Sequence, residues 1–206
     1  MILNSHQVTE GPTRAVIGFH GWTGDENSME PIAQSVKARS VKWFMPRAPY
    51  DADTGKGFTW FSGNDETGWE YEKTLHLIPK VFAYVSNESF LPEETFLAGF
   101  SMGAGLSILA GSRLPFSLGG IVAISGFVKN SEQFVSSMTK ESLNTPILII
   151  QGTGDEIVTP DKAEKTVQLL SDLGYNVRYE LYDTGHKVPK EAMTVIKEFI
   201  EGQTNC

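Results

Sequence analysis

Residues 97–107, "LAGFSMGAGLS", place one serine between two glycines where an apolar run ends. Glycine loses more backbone entropy on folding than any other residue, so two glycines beside Ser101 require a structural reason. Residues 99–103 match Gly-x-Ser-x-Gly, in which the serine stands on a sharp turn from a strand into a helix. Such a turn leaves no room for a Cβ at the flanking positions, and it exposes the hydroxyl beside the backbone N–H groups of the helix. The stretch therefore predicts a strand–turn–helix unit that presents Ser101 as a nucleophile.

Short apolar and β-branched runs recur on both sides of this unit. They predict strands at residues 14–19, 41–45, 95–100, 119–125, 146–152 and 177–183. Helical spacing of apolar residues predicts helices at 66–86 and from Val188 through Phe199. The capping pair Thr159-Pro160 and the stop at Gly174 predict a helix at 160–173, and residues 131–138 leave room for one short helix. Continuous apolar runs are typical of parallel strands that are buried on both faces. The alternation of strands and helices predicts an α/β fold with a mostly parallel central sheet, and we expect residues 1–206 to form one domain.

Composition narrows the classes of function. The net charge of −8 argues against nucleic-acid binding, which requires clustered Lys and Arg. The first residues carry neither the basic nor the apolar region of a signal peptide, and no apolar stretch is long enough to span a membrane. The single cysteine, Cys206, excludes an internal disulfide. These features predict a soluble, cytoplasmic protein that does not bind nucleic acid.

A serine hydroxyl needs a base to remove its proton and a third group to orient that base. His186 follows the last predicted strand and therefore lies at the same edge of the sheet as Ser101. We interpret two other histidines, His6 and His76, as surface or core residues.

The acid is expected between the serine and the histidine in the chain. Asp155 follows the strand that ends near residue 152, and two glycines shape the turn before it. Its neighbour Glu156 is the first alternative. Asp183 is a second alternative, which we interpret as a turn residue.

An oxyanion hole is the remaining requirement of acyl-transfer chemistry. Residues 18–29, "GFHGWTGDENSM", follow the first predicted core strand, and a His-Gly turn there directs the N–H of Trp22 toward a substrate carbonyl. The N–H of Met102, directly after the nucleophile, is the second donor. In this interpretation His20 shapes the loop and takes no part in proton transfer.

Aromatic residues near the predicted site have two interpretations. Trp60 and Phe61 end the long irregular stretch 46–65, and Phe127 follows a strand at the same edge, so the three are candidates for an acyl-binding wall. Ordinary core packing is the alternative for each of them. Trp69 falls within the predicted helix 66–86, and we interpret it as a core residue.

Six motifs in order resemble the phospholipase/carboxylesterase group of α/β-hydrolases. They are "GFHGWTGDENSM", "PRAP", "GFTWF", "GFSMG", "QGTGDEIV" and "TGHKVPKE", and they cover nearly the whole chain from residue 13 onward. The resemblance implies Ser101 as nucleophile, Asp155 as acid and His186 as base, with Trp22 and Met102 as oxyanion donors. It also implies esterase activity without a metal or cofactor. Trp22 is a departure, because this group usually carries leucine at that position.

The sequence therefore predicts a single-domain α/β-hydrolase without a separate lid domain. Its expected activity is that of a serine carboxylesterase acting on short- to medium-chain esters through an acyl-enzyme. An acyl-thioesterase or a lysophospholipase with the same residues is the alternative among enzymes. A catalytically silent binding protein of the same fold is the alternative from another class.

Overall fold

The computed structural model describes residues 1–64, 66 and 68–202. Its strands are β1 (Leu3–Gln7), β2 (Arg14–Phe19), β3 (Val41–Pro46), β4 (Tyr50–Asp51), β5 (Phe58–Thr59), β6 (Ser62–Asn64), β7 (Gly68–Glu70), β8 (Thr95–Phe100), β9 (Gly120–Ile124), β10 (Ile147–Gly152) and β11 (Val177–Tyr182). Its α-helices are α1 (Glu30–Val36), α2 (Glu72–Asn87), α3 (Met102–Ser112), α4 (Ser131–Ser137), α5 (Pro160–Asp172) and α6 (Ala192–Glu201). Cys206 lies outside the described residues.

Seven strands form the central sheet in the order β1-β3-β2-β8-β9-β10-β11, and two short hairpins, β4–β5 and β6–β7, stand apart from it. Only β1, which pairs with β3, is antiparallel in the sheet. This arrangement confirms the predicted α/β fold with a mostly parallel sheet. The strand β1 had no sequence signal, because its segment "LNSHQ" lies at an edge and is only partly buried.

The central strands read as unbroken apolar runs because helices cover both faces of the sheet. Along β10, Ile147 and Ile149 pack into the core on one face, whereas Leu148 and Ile150 pack into the core on the other. Parallel strands place all their carboxyl ends at one edge of the sheet. The segments that follow β2, β8, β10 and β11 therefore meet at that edge.

The helix predicted at 66–86 was wrong at its start. Gly68 has a positive φ of 85° and opens the hairpin strand β7, so the helix begins only at Glu72. Trp69 consequently lies on β7 with 40% of its surface exposed and is not a core residue. The Lys129 ammonium lies 4.2 Å from the centroid of the Trp69 ring.

The described residues contain no separate lid domain, and the segment between β9 and β10 holds only α4 and a short 3₁₀ turn, Glu141–Asn144. None of the helices described is both long and apolar enough to traverse a bilayer.

Candidate active site

The turn at Ser101 has the strained geometry that the sequence predicts. Ser101 has φ 55° and ψ −117°, and its N–H donates to the Ile124 carbonyl of the neighbouring strand at 2.8 Å. A Cβ on Gly99 would stand 2.1 Å from the Gly103 carbonyl oxygen, and a Cβ on Gly103 would stand 2.1 Å from that of Phe19. Both glycines are therefore required by close backbone packing, which holds the serine in a conformation that L residues rarely adopt.

The structure brings Ser101, His186 and Asp155 together from three separate loops. The Ser101 Oγ lies 2.9 Å from Nε2 of His186, and Nδ1 of the same ring lies 2.7 Å from Oδ2 of Asp155. A carboxylate only accepts hydrogen bonds, so Nδ1 carries the proton and Nε2 accepts from the hydroxyl. This tautomer leaves Nε2 free to take the serine proton.

Backbone donors fix the Asp155 carboxylate. Its Oδ1 accepts from the N–H groups of Ile157 and Val158, each at 2.9 Å, while Oδ2 faces the imidazole. Burial is the largest single influence on this carboxyl group and by itself would raise its pKa. The hydrogen bonds from His186, Val158 and Ile157 together outweigh burial, so the pKa lies below its ordinary value and the carboxylate stays ionised.

The two alternative acids do not make this contact. Glu156 is exposed beside Asp155, and its side chain makes no hydrogen bond within the described part of the chain. Asp183 is also exposed, although it lies only three positions before the histidine. The imidazole of His186 is bound by Asp155 and not by its nearer neighbour in sequence.

Two backbone N–H groups stand beside the serine. Met102 is the first residue of α3, and Trp22 follows Gly21, where a Cβ would stand 3.6 Å from the Ser101 Cβ. Among the described residues, neither the Met102 N–H nor the Trp22 N–H donates a hydrogen bond. Both N–H groups therefore remain without an internal hydrogen-bond partner in that part of the chain.

His20 is a buried support for the loop that carries Trp22. Its Nδ1 donates to the Gly21 carbonyl at 2.7 Å, and its Nε2 accepts from the Ala48 N–H at 3.1 Å. Burial, the largest influence, lowers the pKa of the ring, and the bond that Nε2 accepts from the Ala48 N–H requires that nitrogen to be unprotonated. The indole of Trp60 packs against the ring at 4.9 Å and donates to the His20 carbonyl at 2.8 Å.

The three aromatic candidates for an acyl wall have different environments. Trp60 is fully buried between Phe19 and His20, so it supports the loop from below and does not face a substrate. Phe61 is half-buried beside Tyr71, with ring centroids 6.1 Å apart. Phe127 is half-buried, and the Lys162 ammonium lies 5.2 Å from its centroid. Only the last two retain surface near the site.

The loop of residues 20–29 is supported by contacts with residues 47, 57 and 58, which the sequence did not predict. Gly24 bridges Phe58 of the β4–β5 hairpin, and Gly57, with φ 71°, passes so close to Thr23 that a Cβ would stand 1.8 Å from its carbonyl oxygen. Two parallel hydrogen bonds of 2.6 Å join Arg47 to Glu26. Arg47 and Gly57 belong to the "PRAP" and "GFTWF" motifs, which the sequence marks without revealing their contacts.

The remaining histidines lie elsewhere. His6 is on the edge strand β1, and His76 is exposed on α2. No group of three or more His, Cys, Asp or Glu side chains that could hold a metal ion occurs within residues 1–64, 66 and 68–202.

Comparison with known proteins gives consistent relatives. A family model described as phospholipase/carboxylesterase matches residues 6–204. An acyl-protein thioesterase 1 of Debaryomyces hansenii is 30% identical over 176 residues, covering 79% of this chain and 76% of its own. The carboxylesterase SOBER1 of Arabidopsis thaliana is 24% identical over 202 residues, covering 90% and 89%. The crystal structure of esterase PE8 has the same fold, with a TM-score of 0.85, 23% identity and 97% coverage of both chains.

Proposed function

The chain belongs to the phospholipase/carboxylesterase family, and from that premise we propose that it is a serine carboxylesterase that hydrolyses short- to medium-chain esters. Its relatives are named carboxylesterases and acyl-protein thioesterases, so the protein is a hydrolase of ester bonds. The observation that carries the finer proposal is the continuous hydrogen-bond chain from Ser101 through His186 to Asp155. A nucleophile, a base and a group that orients the base are the minimum for acyl transfer by serine.

In the proposed first step, Nε2 of His186 removes the Ser101 proton while Oγ attacks the ester carbonyl. The carbonyl π pair moves to its oxygen, which becomes a tetrahedral oxyanion. Asp155 stabilises the imidazolium that forms, and its two backbone hydrogen bonds keep it aligned. The imidazolium then protonates the leaving alcohol, which departs and leaves an acyl-serine.

The proposed oxyanion donors are the N–H groups of Trp22 and Met102. Met102 directly follows Ser101, and Trp22 follows Gly21, which packs against Ser101. Neither N–H donates a hydrogen bond within the described residues, so no existing bond must be broken when negative charge develops. Pre-oriented donors of this kind are worth about 10²–10³ in kcat each. The N-terminus of α3 adds a favourable dipole at the same place.

Water completes the proposed cycle. His186, neutral again after the alcohol leaves, removes a proton from a water molecule that attacks the acyl-serine carbonyl. The second tetrahedral intermediate collapses, Ser101 recovers its proton from the imidazolium, and the carboxylic acid is released.

The preference for shorter acyl chains is proposed from the exposure of the site. Trp22, beside the serine, is 50% exposed, and Ile157, beside Asp155, is 65% exposed. An added methylene contributes about 0.8 kcal/mol only where apolar wall exists to bury it. We expect kcat/KM on p-nitrophenyl esters to peak at short or medium chains, with no jump at the solubility limit. A steady rise to long chains would contradict this preference without touching the proposed chemistry.

A thioester substrate is the second candidate, since the Debaryomyces hansenii relative is named an acyl-protein thioesterase. The same steps apply, with a thiol as leaving group. Comparing kcat/KM for an oxygen ester and a thioester that share one acyl group distinguishes the two candidates.

The direct test is labelling with a fluorophosphonate, which forms a covalent bond with an activated serine. The wild-type protein and the control Ser136→Ala should be labelled, because Ser136 bonds only the Gln133 carbonyl on α4. Ser101→Ala should remain unlabelled and lose hydrolysis by about 10³-fold or more. Labelling of Ser101→Ala would show that another residue is the nucleophile, and an unlabelled wild-type protein would favour a binding function.

A further inference from the structure

A cavity of about 500 Å³ lies between α2 and the chain segment that leaves β3, beside the first two residues of the chain. It contains none of the proposed catalytic or oxyanion residues. Its walls are formed by Met1, Ile2, Arg47, Ala48, Pro49, Lys73, His76, Leu77 and Lys80. This volume lies within the range of small-molecule sites, about 300–1,000 Å³.

The cavity is lined by basic side chains, although the chain as a whole is acidic. Two lysines, one arginine and one histidine line it, with no acidic residue, whereas the whole protein carries a net charge of −8. Arg47 is paired with Glu26, but within the described part of the chain neither Lys73 nor Lys80 has a carboxylate partner. The Lys73 ammonium lies 4.7 Å from the centroid of the Tyr50 ring, which leaves its hydrogen-bond donors open. Uncompensated cations around a concave surface attract an anion.

We infer that this cavity binds a small phosphorylated organic molecule. Residues 73, 76 and 80 are spaced three and four positions apart and share one face of α2, so their donors converge on one region. A phosphate group offers several acceptor oxygens, which suits donors that arrive from separate side chains. The space exceeds that of a bare phosphate, and Ile2, Pro49 and Leu77 provide apolar walls for an organic part.

The cavity is connected to the proposed oxyanion hole. The Arg47 guanidinium bonds Glu26 in the loop of residues 20–29, and the next residue, Ala48, donates its N–H to His20. An anion that bonds Arg47 competes with Glu26 and loosens the loop that positions Trp22. Occupancy therefore lowers kcat, an effect that rests on the proposed role of Trp22, whereas binding itself does not depend on that role.

Binding is tested by calorimetric titration with phenyl phosphate and with inorganic phosphate. Wild-type protein should bind phenyl phosphate saturably and more tightly than inorganic phosphate. Lys73→Gln/Lys80→Gln should bind about tenfold more weakly or worse, because two charge-assisted bonds are lost. The control Lys140→Gln/Lys165→Gln removes the same charge from exposed positions elsewhere and should bind as wild type. Lys80→Gln alone, which leaves the contact of Lys73 with the Tyr50 ring in place, should weaken binding in the same direction.

The overturning results are distinct. Equal affinity in the double variant and its control, or no saturable binding by the wild type, would eliminate the site. The protein could instead fail to bind phenyl phosphate and sediment with phosphatidylglycerol vesicles but not with phosphatidylcholine vesicles. That result would overturn the small-molecule site and indicate a membrane-binding surface.

The connection is tested by activity. Saturating phenyl phosphate should reduce kcat on p-nitrophenyl butyrate severalfold in the wild type and the control, and much less in the double variant. Binding with an unchanged kcat would overturn the connection to the loop. An inactive wild-type protein that still binds phenyl phosphate would overturn the proposed esterase function and leave the site intact.

Discussion

The loops that carry His20 and His186 leave the same edge of the same sheet, and both imidazoles have the proton on Nδ1 and an acceptor at Nε2. They differ in their partners. His20 bonds two backbone groups, the Gly21 carbonyl and the Ala48 N–H, neither of which can exchange a proton with it. His186 bonds a carboxylate and a hydroxyl. We therefore expect the hydrogen-bond partners of each histidine, more than its place in the fold, to decide whether it serves structure or chemistry.

The largest effect should come from exchanging each imidazole for an amide. His186→Gln should lower kcat by about 10⁴-fold or more, because the proposed base is lost, with little change in stability. His20→Gln should cost about 1–3 kcal/mol of unfolding free energy through lost buried hydrogen bonds, with a much smaller loss of kcat. Hydrolysis of p-nitrophenyl butyrate and denaturant unfolding measure both quantities. A greater kcat loss in His20→Gln would reverse the assignment of the two rings.

The next effect separates neighbouring acids on the His186 side. Asp155→Asn should lower kcat by about 10³- to 10⁴-fold, because it removes the charge that stabilises the imidazolium and favours the wrong tautomer. Glu156→Gln removes an equal charge one residue away and should leave kcat within about twofold, since its side chain is exposed. If Glu156→Gln were the more damaging change, Asp155 would not be the acid.

A smaller effect concerns the hairpin β4–β5, which packs against the loop that carries His20 and Trp22. Gly55 and Gly57 have φ values of 72° and 71°, but a Cβ on Gly55 meets nothing within 4 Å, whereas one on Gly57 would stand 1.8 Å from the Thr23 carbonyl oxygen. Gly55→Ala should therefore cost only the strain of its backbone conformation, about 1–2 kcal/mol. Gly57→Ala should cost clearly more and also lower kcat, because it pushes the loop that carries Trp22. Equal costs in the two variants would show that the hairpin does not hold that loop.

The smallest effect is a pH dependence of stability that belongs to His20. Burial lowers its folded pKa below the ordinary value of 6.5, although the Gly21 carbonyl, Asp25 and Glu26 act in the opposite direction. The unfolded chain therefore binds more protons than the folded chain as the pH falls below about 6.5. The free energy of unfolding should be fully maintained above that pH and should decline below it, less steeply in His20→Gln. If the free energy of unfolding changed with pH in the same way in the wild type and in His20→Gln, a lowered pKa of His20 would be contradicted.

Most of the fold could be predicted because the buried strands carry an unambiguous signal. The predicted strands 14–19 and 95–100 coincide with β2 and β8, since strands covered on both faces must be apolar throughout. The partly buried edge strand β1 and the exposed hairpin β6–β7 have no such requirement. They were missed for that reason, and Trp69 was assigned to a helix that begins three residues later.

The candidate site divides in the same way. Ser101, Asp155 and His186 could be chosen from local motifs and from the order of strands, and the structure puts them in contact. The residues that support the loop of residues 20–29 could not be predicted, because these pairs meet only through tertiary packing: Trp60 with His20, Gly57 with Thr23, and Arg47 with Glu26. Burial of Trp60 in particular depends on the path of residues 46–64, a segment whose apolar residues follow no helical or strand periodicity.

The position of β11 at the edge of the sheet has a consequence for synthesis of the protein. Ser101 and His186 are 85 residues apart, and ribosomes add about 5–20 residues per second, so the base follows the nucleophile by about 4 to 17 s. The strands that form the turn at Ser101, β2, β8 and β9, all emerge before β11. On the proposed assignment, a chain that ends before residue 186 lacks the base, so we expect hydrolytic activity only after β11 has joined the sheet.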